Sequence, residues 1–247
     1  MITLFDVQTG FGCAPGQAGV SADDLRAEMR RLEIDRALVC ITPENMEFDV
    51  PFANDMLFKA CQDDPALVPC PIVAPNSGYD FPSEEEQADD AIRRGAGAVW
   101  IRPAADSWIF AEWVCDRLFR VLESRRLPVL CLERLVPLDQ VAGLAGRYPR
   151  LTFIVAESNY RQQRILMPLL ETFPNVYLST GNNYIVYKGI EQFVERGFTE
   201  RLLFGTGFPV SEAMNAITQL MYADISEEQR QLIGAGNMQR LMEGILK

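Results

Sequence analysis

The chain has 247 residues, of which 48% are hydrophobic, so it can bury a large core. Its 23 basic and 34 acidic residues leave a net charge of -11, which repels nucleic-acid phosphates and anionic membrane surfaces. We therefore expect neither nucleic acid nor a membrane as a partner. Barrels of alternating strands and helices commonly reach this length as one unit, so residues 1–247 are predicted to form a single domain.

The composition contains no histidine. Histidine is the commonest metal ligand, and its unperturbed pKa is the nearest to neutrality among the side chains that act as general bases. Any acid or base chemistry in this protein must therefore fall to carboxylates, thiols, lysines or tyrosines.

The six cysteines form no C-x-x-C pair, and several lie inside apolar runs such as "RALVCI" and "PVLCL". This pattern indicates reduced, buried packing residues, as in a cytoplasmic protein. The opening "MITLF" is typical of a strand, and neither a targeting segment nor a membrane-spanning run is expected.

Short apolar runs alternate with longer amphipathic ones along the chain. Repeated strand–helix units of this kind build a parallel sheet. Eight runs predict strands: 2–6, 37–41, 67–73, 98–101, 128–132, 151–156, 176–179 and 201–205.

The intervening segments have helical spacing, and two of them begin with a recognisable cap. Ser21 and Ser83 are each followed three residues later by an acid, Asp24 and Glu86, which predicts two capping boxes. Further helices are predicted at about 52–63, 110–126, 137–147, 160–173, 184–196 and 211–222, with a closing helix after Ser226.

Eight strands, each followed by a helix, favour a single (β/α)8 barrel of the α/β class. An open, doubly wound sheet is the alternative, and it would need a Gly-rich phosphate turn after an early strand. Gly10 and Gly12 give only a weak match to that turn, because Pro15 intervenes and the next helix begins near Ser21.

Four segments at predicted strand ends resemble motifs of one family, the amidohydrolase superfamily, in its decarboxylase-like and lactonase-like branch. "FDVQTGFG" resembles the first-strand D-x-H-x-H of that family, and "LPVLCLE" its fifth-strand segment ending in His. "YPRLTFIVAES" resembles the sixth-strand P-x-L-x-F-V-x-A-H, "RLLFGTGFP" the eighth-strand R-I-L-F-G-S-D-Y-P, and "GNMQRLM" the closing G-N-A-x-R-L. The resemblance spans nearly the whole chain and implies an amidohydrolase-like TIM barrel with its site at the C-terminal strand ends.

In that family, the matched positions hold one divalent metal ion, usually zinc, which activates water or polarises the substrate. The positions equivalent to the four histidines and the catalytic aspartate carry other residues here: Gln8, Gly10, Leu132 or Glu133, Glu157 and Gly207. The oxygen donors Asp6, Glu133 and Glu157 suit magnesium, calcium or manganese better than zinc, but the set is thin. We therefore predict a lost metal site, with no metal and no cofactor.

Two glutamates are candidate catalytic residues. Glu157 ends an apolar strand, where partial desolvation would suit it to general acid or base chemistry; alternatively, it pairs with an arginine or caps the next helix. Glu133 faces the barrel mouth only if Cys131 does, since alternate residues share a face, and Cys131 would then be a possible nucleophile. If Leu132 points inward instead, Glu133 faces away.

The candidate ligand contacts are polar residues at or beyond strand ends. Arg102 would clamp a carboxylate or phosphate, or form a salt bridge to Glu133 or Glu157. The amides expected to line a neutral hydrogen-bonding pocket, each also a common turn residue, are Gln8, Asn76, Asn159 and Asn182. Asp6 is expected to hold the loop by accepting backbone N–H bonds.

Two functions follow from these residues. The first is a barrel without its metal that binds a small polar or anionic metabolite, or serves as an assembly partner, without conventional metal-dependent hydrolysis. The second is a metal-independent hydrolase or C–C lyase acting on a small organic acid, with Glu157 as general acid or base and Arg102 as anion anchor. A homodimer is a possible assembly in either case.

Overall fold

The structure, a computed structural model, describes residues 2–12, 19–41, 49–181 and 184–246. It contains eight strands in chain order: β1 (Phe5–Phe11), β2 (Arg36–Ile41), β3 (Leu67–Pro69), β4 (Val99–Trp100), β5 (Val129–Leu132), β6 (Phe153–Ala156), β7 (Val176–Ser179) and β8 (Leu202–Leu203). The helices are α1 (Ala22–Arg31), α2 (Val50–Cys61), α3 (Glu84–Arg93), α4 (Glu112–Arg125), α5 (Leu138–Arg147), α6 (Gln163–Thr172), α7 (Gly189–Glu195), α8 (Met214–Met221), α9 (Glu227–Gln231) and α10 (Asn237–Glu243).

All neighbouring strands run parallel, and their pairing closes a ring. The ladders give the orders β1-β2-β3 and β4-β5-β6-β7-β8. A parallel bridge between Ile72 and Trp100 joins the first group to the second, and another between Thr9 and Phe208 joins β8 back to β1. The molecule is therefore a (β/α)8 barrel, and the open-sheet alternative is wrong.

The strands β1 and β3 depart most from their predicted ranges. The strand predicted at 67–73 ends at Pro69, because Pro69 and Pro71 have no N–H to donate to a ladder. β1 instead extends beyond the predicted residue 6 to Phe11, with a register shift between Asp6 and Thr9. Gln8 consequently lies within the barrel wall.

Both predicted capping boxes are present. The Ser21 hydroxyl accepts from the N–H of Asp24 at the start of α1, and the Ser83 hydroxyl accepts from the N–H of Glu86 at the start of α3. The helix predicted from 184 begins only at Gly189, because Lys188 takes a left-handed conformation with φ of 51°.

The strand registers define which side chains face the barrel interior. Trp100 aligns with Leu130 and Leu130 with Ile154, and Leu130 lines a cavity at the barrel mouth. Residues in register on parallel strands share a face, so these three point inward. Phe153, on the opposite face, packs against Phe119 of α4 in the outer layer.

Beyond β3, two helix side chains pair with the backbone of Ile72 and Ala74, whereas Pro71 and Val73 pair with Trp100 of β4. The Asn54 amide of α2 both donates to the Ile72 carbonyl and accepts from its N–H, each at 2.8 Å. The Gln87 amide of α3 makes the same two bonds with Ala74, at 3.0 and 3.1 Å. These amides satisfy backbone groups that a strand ladder would otherwise satisfy.

The cysteines at positions 40, 61, 70, 115 and 131 are free and buried, which confirms the packing role predicted for them. Cys13 lies outside the described residues. Across the described ranges, the helices are too short or too polar to cross a bilayer.

Candidate functional site

The side chain of Gln8 lies at the centre of the C-terminal strand ends. Its Oε1 accepts from the Ser179 hydroxyl at 3.3 Å and from the backbone N–H of Glu157 at 3.4 Å. Only 7% of Gln8 is exposed. One amide therefore links β1 to the ends of β6 and β7.

Three glycines enclose this amide. A Cβ atom at Gly181 would lie 2.7 Å from Gln8 Oε1, one at Gly205 would lie 2.9 Å from Gln8 Cβ, and one at Gly207 would lie 3.3 Å from Gln8 Nε2. Gly207 also has φ of 79°, a left-handed conformation that disfavours other residues. Gly207, which the motif resemblance matches to the family's catalytic aspartate, is thus a tight backbone turn against Gln8.

Beneath Gln8, the buried Asp6 carboxylate joins β1 to the end of β8. One oxygen accepts from the backbone N–H groups of Gln8 and Thr206, each at 2.9 Å, and the other accepts from the Thr206 hydroxyl. Burial raises the pKa of Asp6 to about 6, although the hydrogen bonds from Thr206 and Gln8 oppose that shift. The predicted role of Asp6, holding the local backbone, is confirmed.

Glu157 lies at the rim, where it forms an ion pair with Arg134 of 2.8 Å between Nε and Oε2. The backbone φ of Glu157 is 65°, which is uncommon for a residue other than glycine. Both residues line a small cavity of about 30 Å³, together with Gln8, Thr9, Cys40, Leu130, Leu132, Gly207, Phe208 and Val210. The cavity has room for roughly one water molecule.

Arg102 lies two residues beyond the end of β4, and its guanidinium is already bound. It holds Asp106 by two hydrogen bonds, of 2.6 and 3.2 Å, and only 4% and 5% of the two side chains are exposed. Burial raises the pKa of Asp106, and Arg102 opposes that shift. The sequence led us to expect Glu133 or Glu157 as the salt-bridge partner of Arg102. The partner is instead Asp106, four positions along the same loop.

The structure separates Glu133 from Glu157. Leu130 and Leu132 line the mouth cavity, whereas Glu133 lines a different groove between α5 and α6, so the register is the one in which Glu133 faces away. Cys131 lies on the outward face and is fully buried, and burial raises the pKa of its thiol. A buried thiol that stays protonated is a poor nucleophile.

Two of the predicted asparagine contacts have local roles. The Asn76 side chain accepts from the N–H of Phe81 in the loop before α3. Asn159 caps the short 3-10 helix at Tyr160–Gln162 through a hydrogen bond to the N–H of Arg161. Asn182 lies outside the described residues.

The donors at the mouth do not match a zinc site. Gln8 contributes one neutral amide, and Gly207 has no side chain to contribute. The Glu157 carboxylate is paired with Arg134. Within the described ranges, no three Cys, Asp or Glu side chains lie close enough together to hold a metal ion. Zinc sites ordinarily use several imidazole or thiolate ligands; the chain has no histidine, and the lining of the mouth cavity contributes a single thiol, that of Cys40.

The sequence analysis did not identify Arg134, Asp106, Thr206 or Ser179. Arg134 and Asp106 lie in loops, where no sequence periodicity indicates which way a side chain points. Thr206 and Ser179 lie at strand ends, and that position could have marked them as candidate site residues. Both residue types, however, are common in turns and strands. The contacts of Ser179 with Gln8 and of Thr206 with Asp6 join elements far apart in the chain, whereas the contact of Asp106 with Arg102 depends on how a single loop folds back.

The fold places this protein in the class of (β/α)8 barrels with a site at the C-terminal strand ends. The family model described as amidohydrolase matches residues 14–242, so the chain belongs to that family. No curated protein gives a significant match.

Several solved structures share this fold at low sequence identity. The 5-carboxyvanillate decarboxylase of Sphingomonas paucimobilis has a TM-score of 0.73 and 13% identity, over 98% of this chain and 99% of that chain. A probable 2-pyrone-4,6-dicarboxylic acid hydrolase of Acinetobacter baumannii, with citric acid bound, has a TM-score of 0.72 and 12% identity, over 98% and 100%. A dihydroxybenzoic acid decarboxylase of Polaromonas, with bound manganese and an inhibitor, has a TM-score of 0.70 and 16% identity, over 98% and 97%.

Proposed function

We propose that this chain is an amidohydrolase-family barrel that has lost the family's metal site. In this proposal it binds a small polar or anionic metabolite at the C-terminal strand ends, without conventional metal-dependent hydrolysis. It acts as a single domain in the cytoplasm, and a homodimer is compatible with it.

The observation that carries this proposal is the position of the Gln8 amide. It stands where the resemblance places a histidine ligand, and its oxygen is hydrogen-bonded to Ser179 and Glu157. The three surrounding glycines leave little space between the amide and the strand ends. A well-packed neutral amide at this centre favours binding of a polar group by hydrogen bonds rather than by a metal ion.

Metal content tests the loss of the metal site. The purified protein is incubated with zinc or manganese, desalted and measured by inductively coupled plasma mass spectrometry. We expect far less than one equivalent of either metal. One equivalent that survives desalting, and whose removal by a chelator lowers the melting temperature, would contradict the proposal.

A second candidate function, a metal-independent hydrolase or C–C lyase on a small organic acid, is favoured by the geometry of Glu157. Glu157 has a left-handed backbone conformation at a strand end, and it lines the mouth cavity. Backbone outliers of this kind are found at functional sites. In this function Glu157 serves as the general acid or base. Arg134, which already contacts Glu157, replaces Arg102 as the expected anion contact.

Glu157→Gln separates the two functions. Turnover of a lactone, amide or carboxylic acid by the wild type that is lost in Glu157→Gln, with ligand binding retained, would favour the enzyme. Ligand binding without turnover of any of these substrate classes would favour the binding protein.

A further inference from the structure

Two buried cysteines lie side by side where the pairing of β2 with β3 ends. Val39 of β2 is in register with Pro69 of β3, and the N–H of Cys70 donates to the Val39 carbonyl at 2.9 Å. Cys40 is the next residue of β2, and Cys70 follows β3 directly. Residues in register on neighbouring parallel strands share a face, so the two side chains point the same way.

The two thiols are in contact, unlike those of two other buried cysteines. Burial raises the pKa of the Cys70 thiol, and its interaction with the Cys40 side chain raises that pKa further. The Cys115 and Cys131 thiols instead lie against local backbone carbonyls, at 3.3 and 3.9 Å. Cys40 and Cys70 therefore form a pair of thiols at the barrel mouth.

The spacing of the two strands suits a bond between these sulfurs. Neighbouring strands lie about 4.8 Å apart, and cysteines joined by a disulfide have Cα atoms roughly 4.4–6.8 Å apart. The ladder of β2 with β3 ends at Pro69, so Cys70 is held by ladder pairs on one side only. The Cys40 and Cys70 sulfurs can therefore be joined with little movement of the barrel wall.

Cys40 connects this pair to the mouth cavity. It lines the cavity beside Gln8 and Thr9, whereas Cys70 is fully buried. The cavity measures about 30 Å³, so it admits a molecule not much larger than water. Hydrogen peroxide is such a molecule, whereas a bulky disulfide such as oxidised glutathione is excluded. An oxidant that enters the cavity meets the Cys40 sulfur first.

We propose that Cys40 and Cys70 are a peroxide-sensitive dithiol, an oxidation site at the barrel mouth that does not depend on the proposed function. The Cys40 sulfur attacks one oxygen of hydrogen peroxide, an S–O bond forms as the O–O bond breaks, and one water leaves with the Cys40 proton. Cys40 is oxidised to a sulfenic acid, and the peroxide is reduced to water.

Cys70 then completes the reaction. Its sulfur attacks the Cys40 sulfur, the S–S bond forms as the S–O bond breaks, and the hydroxyl leaves with the Cys70 proton as a second water. Two thiols and one peroxide thus give one disulfide and two waters. The disulfide fastens the end of β2 to the end of β3 beside Gln8.

The test exposes the folded protein at pH 8, where more of a thiol is ionised, to hydrogen peroxide or to oxidised glutathione. Free thiols are then alkylated in urea, and the linked peptides are identified by mass spectrometry. Digestion with trypsin and Asp-N separates Cys61 from Cys70, because Asp63 and Asp64 lie between them. We expect peroxide to yield at least about tenfold more of the peptide linking Cys40 to Cys70 than oxidised glutathione does, because the cavity admits only the smaller oxidant.

Cys131→Ala is the matched control, because Cys131 is also fully buried but lies on the outward face of β5. It should form the link to the same extent as the wild type. Cys40→Ala should leave Cys70 reduced. Cys70→Ala should stop Cys40 at the sulfenic acid, which dimedone added with the urea traps. Circular dichroism melting shows that each variant is folded.

Three outcomes would overturn the inference. The first is a wild type that forms no linked peptide with peroxide, or in which Cys40 is oxidised beyond the sulfenic acid without a link. The second is a link from Cys40 to Cys61 instead of Cys70. The third is an equal yield with both oxidants, since the route through the mouth cavity would then be wrong. Each of these outcomes leaves the proposed function untouched, because that function does not involve the thiols.

Discussion

Two arginine–carboxylate pairs lie at the mouth of this barrel, and their surroundings differ. The Arg102–Asp106 pair is almost fully enclosed and bidentate. The Arg134–Glu157 pair lies at the rim, partly exposed, beside a cavity. A buried pair cannot give up one partner without leaving an uncompensated charge, whereas a rim pair can exchange partners with solvent or a ligand. The first pair is thus a fixed part of the fold, whereas the second lies where it can exchange partners.

The largest expected effect comes from breaking the enclosed pair. Arg102→Met leaves the Asp106 carboxylate buried without its partner, and we expect a loss of about 3–5 kcal/mol in the free energy of unfolding. Urea denaturation measures it. The double variant Arg102→Met/Asp106→Leu should recover most of the loss, because no charge then remains. A loss below about 1 kcal/mol in Arg102→Met would show that the two pairs do not differ.

The next largest effect is a pH dependence from Asp6, a wall carboxylate with no arginine partner among its hydrogen-bond donors. Its pKa is raised from 3.8 to about 6 in the fold, so the folded state binds the proton more tightly than the unfolded state does. Its contribution is present below about pH 4 and is lost as the pH rises to about 6, by about 3 kcal/mol.

Asp6→Asn tests this contribution, because an amide can still accept from the Gln8 and Thr206 N–H groups. The difference in unfolding free energy between wild type and variant, measured in urea from pH 4 to 7, should change over that window. The comparison between the two proteins is needed because burial also raises the pKa of Asp106. Parallel pH curves would assign the dependence to other groups.

A smaller effect is expected at Gly207, where the wall turns against Gln8. Gly207→Ala places a Cβ on a backbone with φ of 79° and 3.2–3.3 Å from Ser211 and Gln8, so we expect a loss of about 1–2 kcal/mol. Gly143→Ala is the control, because Gly143 lies in α5 with open space around it. Alanine there should stabilise the protein by about 0.5–1 kcal/mol. Equal changes in melting temperature for Gly207→Ala and Gly143→Ala would contradict the constraint inferred at Gly207.

The smallest effect on stability belongs to the rim pair. Arg134→Gln should change the unfolding free energy by no more than about 1 kcal/mol, measured by the same urea denaturation. A loss as large as that of Arg102→Met would make this pair structural and remove the contrast between the two pairs.

The fold was predictable from the sequence because its signals are local and repeated. Alternating apolar runs located the strands, and Ser21 and Ser83 marked two helix starts correctly. The errors also have local causes, such as the prolines that end β3 and the left-handed Lys188 that delays α7.

The site was less predictable because its contacts join distant parts of the chain. Gln8 was expected at the mouth, but its bonds to Ser179 and Glu157 span more than a hundred residues. Arg102 was correctly placed at a strand end, yet the partner that occupies it, Asp106, depends on how one loop folds back. Side-chain direction in loops is set by such tertiary contacts, which no sequence period encodes.

The side-chain amides of Asn54 and Gln87 couple the backbone beyond β3 to the motion of two helices. The backbone groups of Ile72 and Ala74 are held by α2 and α3, while the Val73 N–H and the Pro71 carbonyl are bonded to Trp100 of β4. Fraying of either helix would release the groups that it holds, so the amide protons of Ile72 and Ala74 should exchange with solvent at rates set by the helices rather than by the sheet. The segment that joins the two strand groups of the barrel is therefore anchored on alternate residues to the outer helices and to β4.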